Sequence, residues 1–426
     1  MRVVSFAAAV ALVLIVLGVS QPAEAQESQL DALRAAARAA PTDPLAALAL
    51  GTALRRADHL PEALAELRRG IAIAGRPETV RLLDWEVVRV EADRRDFFQT
   101  LASCKPLKAG ADAHACTAFA HLVRQRATEA LEETGAALAK DPHSYEAKLA
   151  ESRAYELELE LARAETSLRE AIADHAGQAE AHEALGRVLL KEGKRDLAVA
   201  AFREAIDLDP AGPDALYELA SVLPPGDESV RLLERATRER LTFVDAWLVL
   251  GSQQLAARRL GEAKKAADAA LRADAHSAAA RVLTGKVALA ENRTDDAIRE
   301  GQAALAIVAN SAAAKLLVAD GTARKGEIDA ALEAYQAAWG LDHGDPTPLV
   351  HASEACHAAG RDTSARAFGV RATQEFPRWA PAWAALGDAL AAQGEAPGAR
   401  DAYRKALSLD GPVDVEAVKR KLSNLH

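Results

Sequence analysis

The stretch "EALGRVLLKEGKRDLAVAAFREAIDLDP", Glu183 to Pro210, decides the fold because it contains two amphipathic helical patterns separated by a short polar segment. Apolar residues recur at helical spacing, pause at "KEGKR" and then resume. Gly193 permits the left-handed backbone conformation that ends a helix, and Pro210 prevents the second helix from continuing. The stretch therefore predicts a helical hairpin.

The same pattern recurs along most of the chain, usually with a period of 34 residues. Its most regular mark is a small residue early in the second helix, followed by another small residue seven positions later. The first small position is occupied by Ala63, Ala130, Ala164, Ala198, Ser229, Ala263, Ala297, Ala331, Ala365 and Ala399. A single hairpin cannot cover its own apolar face, so this period indicates hairpins stacked into a solenoid.

These repeats resemble those of the tetratricopeptide repeat family, whose pattern is W-x2-L-G-x2-Y, then A-x3-F, then P. The last repeat carries the matching residues Trp383, Leu386, Gly387, Ala399 and Pro412, with Leu390 and Tyr403 in place of Tyr and Phe. The resemblance implies an all-α, right-handed superhelical solenoid of helical hairpins. It also implies that the first helix of each hairpin lines a concave groove that binds other proteins.

The register of the repeats divides the chain into four segments. Residues 1–25 are predicted to be a signal peptide, residues 26–42 a half-repeat that caps the array, and residues 414–426 a capping helix. Between them, residues 43–413 form about eleven tandem repeats. The second repeat is degenerate at "LLDWEVVRVEADRRDFFQTLASC", and the sixth is shortened at "PPGDES".

The N-terminus indicates export from a bacterial cytoplasm. A basic Arg2 precedes a long apolar run, and Pro22 comes just before the small-x-small sequence "AEA" that ends at Ala25. Cleavage after Ala25 places the mature chain in the periplasm or outside the cell. The alternative is an uncleaved helix over residues 3–19 that anchors the chain in the inner membrane as a subunit of a membrane complex. The alanine-rich composition, with more arginine than lysine, is typical of a GC-rich bacterial genome.

Charge and motifs exclude several classes of function. Among the 426 residues the formal net charge is −10 and no Lys/Arg stripe offsets it, so nucleic acid is not an expected partner. No phosphate-binding loop, dinucleotide fingerprint, nucleophile elbow or haem-attachment motif is present. We therefore expect no enzyme activity, no cofactor and no small-molecule substrate.

Cysteines and histidines provide the remaining candidates for chemistry. Cys104 and Cys116 flank one predicted turn, where either a disulfide or two free buried thiols would fit, while Cys356 has no evident partner. His114, Cys116 and His121 form the alternative of a metal site, and "HASEACH" adds His351 and Glu354. Neither group has established ligand spacing, so no metal is expected.

The resemblance assigns one position of each first helix to the groove. It is apolar except at Glu183, and it comprises Leu48, Ala115, Leu149, Glu183, Tyr217, Leu248, Val282, Leu316, Val350 and Ala384. One interpretation is a groove for an apolar peptide or an amphipathic helix, and the other is packing between neighbouring first helices. Four residues later the row reads Phe119, Arg153, Arg187, Ser221, Ser252, Lys286, Asp320, Glu354 and Asp388.

That second row is basic in the middle and acidic toward its C-terminal end, so it would orient a charged ligand, unless it is an ordinary solvated face. Together these observations predict a scaffold or assembly factor of the bacterial cell envelope. Its partners are other proteins, bound through Leu149, Arg153, Arg187, Tyr217, Leu248, Val282, Leu316 and Val350. Membrane association is expected only if the N-terminal helix is retained.

Overall fold

The computed structural model describes residues 24–107, 110–409 and 411–425, with side chains from Leu30 onward. The described residues contain 24 α-helices and no strand, which confirms the predicted all-α fold of stacked helical hairpins. The predicted signal peptide and the alternative membrane anchor lie outside the described residues, apart from Glu24 and Ala25 at the start of the first helix.

Helix α1 precedes eleven hairpins of two helices each, and α24 follows them. In chain order the helices are α1 Glu24–Ala39; α2 Pro44–Arg56 and α3 Leu60–Ile73; α4 Pro77–Asp93 and α5 Phe97–Ser103; α6 Ala111–Val123 and α7 Ala127–Lys140; α8 Tyr145–Leu157 and α9 Leu161–Asp174; α10 Ala179–Lys191 and α11 Arg195–Leu208; α12 Pro213–Val222 and α13 Asp227–Glu239; α14 Val244–Ala256 and α15 Leu260–Ala273; α16 Ala278–Ala290 and α17 Thr294–Ile307; α18 Ala312–Arg324 and α19 Ile328–Leu341; α20 Thr347–Ala358 and α21 Asp362–Glu375; α22 Ala380–Ala392 and α23 Ala396–Leu407; α24 Val415–Ser423. We number the hairpins 1 to 11 from α2/α3 to α22/α23.

Local sequence sets where the first helices begin. Prolines occupy the first turn of α2, α4 and α12, where the missing N–H costs no intrahelical hydrogen bond. Elsewhere a side-chain oxygen caps the helix, as when Ser144 accepts a hydrogen bond from the Ala147 amide and Ser277 accepts one from Ala280.

In ten of the eleven hairpins, the turn between the two helices contains one residue in the left-handed region. Gly193 has φ 78° at this position, as expected, and glycine also occupies it in hairpins 9, 10 and 11. Six other hairpins place a side chain there, on Asp58, Arg95, Gln125, Leu159, Arg258 and Asn292. The conformation therefore belongs to the turn itself, and glycine is only the residue that adopts it at least cost.

Glycine in the first helix lets the two helices of a hairpin approach closely. A Cβ atom added to Gly186 would lie 2.5 Å from Cε1 of Phe202 on the second helix. Gly387 has the same relation to Tyr403. Because 2.5 Å is far inside van der Waals contact, no larger residue fits these sites without movement.

Where the second helix carries a small residue opposite the glycine, a side chain of the next hairpin fills the space beside that glycine. Hairpin 7 has Ala267 there, and the added Cβ of Gly251 would instead lie 2.6 Å from Cδ2 of Leu283 in α16. The same relation holds for Gly285 and Leu317, one hairpin further on. Glycine thus mediates packing within some hairpins and between hairpins in others.

The chain forms two compact units, one up to Val249 and the other from Leu250 onward. Within each unit, successive first helices pack against one another, as α6 does on α8 and α20 on α22. Among the described residues no comparable contact joins successive second helices. The first helices therefore lie on the inner side of the curve of their own unit.

Hairpin 2 is irregular. Its first helix, α4, has 17 residues, whereas its second helix, α5, has only 7 and is followed by a 3-10 turn at Lys105–Leu107. A disulfide of 2.01 Å joins Cys104 to Cys116, with 5.6 Å between their Cα atoms. Cys104 follows α5 rather than lying late in that helix, because the helix ends early. The disulfide ties the irregular hairpin 2 to α6 of hairpin 3.

The close approach at Gly186 predicts opposite effects for one substitution at two sites. Gly186→Ala should lower the free energy of unfolding by about 1–3 kcal/mol because the new methyl overpacks Phe202. Gly135→Ala, inside α7 with no atom within 4 Å of the added Cβ, should raise it by up to about 1 kcal/mol through helix propensity. Chemical denaturation followed by circular dichroism measures both, and equal effects would contradict the packing at Gly186.

Candidate functional site

The stripe predicted to line a peptide groove is largely buried. Leu149 is 0%, Val282 6%, Leu316 7% and Val350 3% exposed. The expectation that these four side chains face a ligand is wrong, because each packs among helices. Val282 belongs to a cluster with Ala314 and Leu317 of α18. Of the two interpretations of the stripe, packing between neighbouring first helices is therefore the one that fits these positions.

Tyr217 and Leu248, also predicted groove residues, keep part of their surface exposed. The ring of Tyr217 lies 4.9 Å from the ring of Phe243, between centroids. Burial raises the pKa of the Tyr217 phenol above its ordinary value. These two residues retain accessible apolar area on the unit that ends at Val249.

The predicted basic residues of this unit are paired with carboxylates. An Nη2 of Arg153 lies 2.6 Å from Oε1 of Glu180, and its guanidinium lies 5.3 Å from the ring centroid of Phe119. Arg187 forms an ion pair with Glu183, four residues earlier on α10. Neither arginine therefore offers an unpaired charge to a ligand.

Sequence reasoning missed a larger ionic cluster on the same inner face. Arg89 on α4 donates to both carboxylate oxygens of Glu146 at 2.8 and 2.9 Å, and it lies 3.4 Å from Glu180. Arg55 on α2 forms ion pairs with Glu86, at 3.2 Å, and with Asp93, and both of these carboxylates lie on α4. The cluster thus links helices of hairpins 1, 2, 4 and 5.

The third hairpin leaves room for this cluster. Its first helix, α6, has only the methyl side chain of the buried Ala115 at the stripe position, and Arg89 reaches past this helix to Glu146 on α8 and Glu180 on α10. The arrangement was not predictable from the repeat pattern, because hairpin 2 lacks the Leu-Gly pair that would have placed Arg89 in the repeat register.

Charge pairing within the cluster shifts its pKa values strongly. Burial acts to raise the pKa of Glu180, but the charges of Arg89 and Arg153 outweigh it and bring the pKa to about 2. For Glu146 the balance is reversed, because burial raises the pKa above its ordinary value in spite of Arg89. The phenolic oxygen of Tyr145 is buried beside these groups and has no hydrogen-bond partner within the described structure.

In the unit that begins at Leu250, two acidic residues of the second row, Asp320 and Asp388, are also paired with neighbouring side chains. Asp320 accepts hydrogen bonds from Tyr335 Oη at 2.8 Å and lies 2.8 Å from Nδ1 of His351. Asp388 repeats this arrangement with Tyr403 Oη at 2.7 Å, and Lys421 of α24 lies 2.7 Å from its other oxygen.

Lys286 and Glu354, two members of the same row in this unit, are exposed. The helices around Glu354 exclude part of the water from its carboxylate and raise its pKa, although the side chain keeps an exposed surface, and the charge of His351 opposes this effect. The accessible charge of this inner face therefore includes one cation on α16 and one anion on α20.

The alternative metal site does not assemble. Cys116 is bonded to Cys104, so its thiolate is not available as a ligand. His114 instead lies 2.7 Å from Oε2 of Glu133 and 2.8 Å from Nζ of Lys140. Within residues 24–107, 110–409 and 411–425, no three His, Cys, Asp or Glu side chains are grouped as metal ligands.

No helix in the described part of the chain has both the length and the apolar character needed to cross a membrane.

Sequence comparison identifies the repeats. One model described as tetratricopeptide repeat matches residues 160–213, 183–223 and 248–314, and a second model of that description matches residues 380–412. These segments therefore carry tetratricopeptide repeats, which mediate binding to other proteins. No curated protein gives a significant match.

Solved structures resemble the chain in fold. The Cut9–Hcn1 heterotetramer of the APC/C matches with a TM-score of 0.50 at 14% identity, over 87% of this chain and 84% of that chain. Yeast Tom70 matches with a TM-score of 0.46 at 14% identity, over 89% and 94%. PilF of Pseudomonas aeruginosa matches with a TM-score of 0.44 at 20% identity, over 48% and 94%.

The ionic cluster predicts an unequal cost for removing two arginines. Arg89→Met should lower the free energy of unfolding by about 3–5 kcal/mol, because it removes the cation shared by carboxylates of three helices and leaves the buried Glu146 without its bidentate partner. Arg299→Met, which removes an exposed ion pair with Asp296, should cost no more than about 1 kcal/mol. Equal costs in chemical denaturation would show that Arg89 is solvated.

Proposed function

We propose that this chain is a non-catalytic protein-interaction scaffold or assembly factor of the bacterial cell envelope. The observation that carries the proposal is the tandem array of tetratricopeptide repeats, with their first helices side by side in each unit. Such an array presents a long surface and no enclosed catalytic centre, which suits the recognition of an extended partner segment.

Two features support an envelope location. The N-terminal sequence has the order of a signal peptide, with a basic residue, an apolar run and a small-x-small site. The Cys104–Cys116 disulfide is of a kind that persists in oxidising compartments such as the periplasm and is rare in the cytosol. Export would account for both features with one assumption.

We assign partner binding to the inner face of the unit that begins at Leu250. The inner face of the other unit is filled by its own ion pairs around Arg89 and Glu180, and most of the apolar stripe is buried. Lys286 on α16 and Glu354 on α20 are both exposed and lie two hairpins apart in the row, so a partner segment with the opposite order of charges would be oriented by them. The partner is a protein segment that carries an acidic group near Lys286 and a basic group near Glu354.

Affinity capture tests this assignment. Tagged residues 26–426 are used to capture proteins from the native envelope extract, beside a Lys286→Glu, Glu354→Lys double variant. We expect one protein to be captured by the parent chain and at least tenfold less of it by the variant, since reversing both charges creates like-charge contacts.

The control is a Lys265→Glu, Glu333→Lys variant, which makes the same two charge changes at exposed sites on the second helices α15 and α19. It should capture as much partner as the parent chain. Equal capture by all three chains would contradict the assignment to this face, and the absence of any captured protein would contradict the scaffold function.

A further inference from the structure

The unit that ends at Val249 is closed on itself by contacts between residues far apart in the chain. Nε of Arg240, just after α13, donates to the carbonyl oxygen of Arg56 at 3.0 Å, across 184 residues. Oγ1 of Thr242 donates to Oδ2 of Asp58 at 3.0 Å, also across 184 residues. An ion pair of 2.5 Å joins Arg56 to Asp209 at the end of α11. The turn of hairpin 1 therefore meets the ends of hairpins 5 and 6.

The contacting side chains are held in place for this role. Arg240 makes a bidentate ion pair with Asp214 of α12, at 2.9 and 2.7 Å, and its guanidinium lies 4.9 Å from the ring centroid of Phe243. These contacts fix the direction of the guanidinium toward the Arg56 carbonyl. Asp58 stands at the left-handed turn position, with φ 64°, which projects its carboxylate from the end of the hairpin.

The closure is polar, whereas neighbouring hairpins are joined by apolar packing. The side chains of Arg56 and Asp209 are 31% and 19% exposed, so water and salt reach their ion pair. Partly exposed pairs of this kind contribute little each and are screened by salt. By contrast, the interface of hairpins 1 and 2 buries Leu67 and Leu83 in one apolar cluster. The closure thus lacks the apolar burial that joins these neighbouring hairpins.

The closure lies beside the ionic cluster of the inner face. Arg55 and Arg56 are adjacent residues at the end of α2, and they point to different partners. Arg55 pairs inward with Glu86, while Arg56 pairs with Asp209 at the closure. Opening the closure therefore moves the helix end that carries one member of the inner cluster.

We propose that the contacts of Arg56 and Asp58 with Asp209, Arg240 and Thr242 form a clasp that holds this unit shut and controls access to its inner face. With the clasp closed, the inner cluster is shielded from any partner segment. Raised ionic strength, or loss of the Arg56–Asp209 pair, opens it. The existence of the clasp does not depend on the proposed scaffold function. The use of this inner face by a partner rests on that function, and the face is separate from the one to which partner binding is assigned above.

A charge swap tests the clasp directly. Nitroxide labels on His59→Cys and Leu241→Cys, both exposed and next to clasp residues, report proximity through dipolar broadening of the spectrum. Arg56→Glu and Asp209→Arg should each abolish the broadening, because each places like charges together. The Arg56→Glu, Asp209→Arg double variant should restore it with the polarity of the pair reversed.

The matched control is Arg203→Glu, which disrupts an exposed ion pair with Glu228 in the same unit. It should leave the broadening unchanged. Circular dichroism confirms that each variant is folded. If the folded single variants keep the broadening, hairpin packing alone sets the closure and the clasp is contradicted.

Access to the inner face has its own readout. Thr52, whose Oγ1 donates to Glu86 of the inner cluster at 3.3 Å, is replaced by cysteine and treated with a bulky maleimide. Arg56→Glu should accelerate the modification at least tenfold, and the charge swap should reverse the effect. An unchanged rate would show that opening the contacts does not expose the inner face. Neither measurement requires the partner, so a result that contradicts the clasp leaves the scaffold function untouched.

Discussion

Each hairpin depends on the close contact of its two helices at residues with little or no side chain. Gly186 lies so close to Phe202 that an added methyl group would clash with the ring. The small buried side chains of Ala198 and Ala205 let the second helix approach the first. Because this contact fixes how each hairpin packs, it also fixes how the next hairpin leans on it. Where Ala267 leaves space, Leu283 of the following hairpin enters it, so the same constraint extends from one repeat to the next.

The repeated contact brings the first helices together and determines what their inner faces can do. In the unit up to Val249, Arg89 reaches Glu146 and Glu180 on two other first helices, so the inner face is occupied by the chain's own charges. In the other unit, Lys286 and Glu354 remain exposed. The same fold therefore provides one face that is internally satisfied and another that is open to a partner.

The period of small residues was sufficient to predict the hairpin fold, because each Ala or Gly reports a local contact. Burial at Leu149 and Leu316 was not predictable in this way, since it depends on how near the adjacent first helix lies. The Arg89 cluster escaped prediction because hairpin 2 lacks the repeat residues that would set its register. The contact of Arg240 with Arg56 depends on how each of six hairpins is rotated relative to the one before it. No local sequence pattern encodes the total of these rotations.

The inner face of the first unit is filled by its own ion pairs. Titration of the Glu180 carboxyl by carbon-13 NMR tests it most directly, because that group lies between Arg89 and Arg153. The account predicts a pKa of about 2, compared with 4.5 for an unperturbed glutamate. Glu180 would then stabilise the fold above pH 4.5 and lose that contribution as the pH falls toward 2. A measured pKa near 4.5 would place the carboxylate in water, and a higher one would leave it buried without the charges of its arginines; either result would contradict the filled inner face.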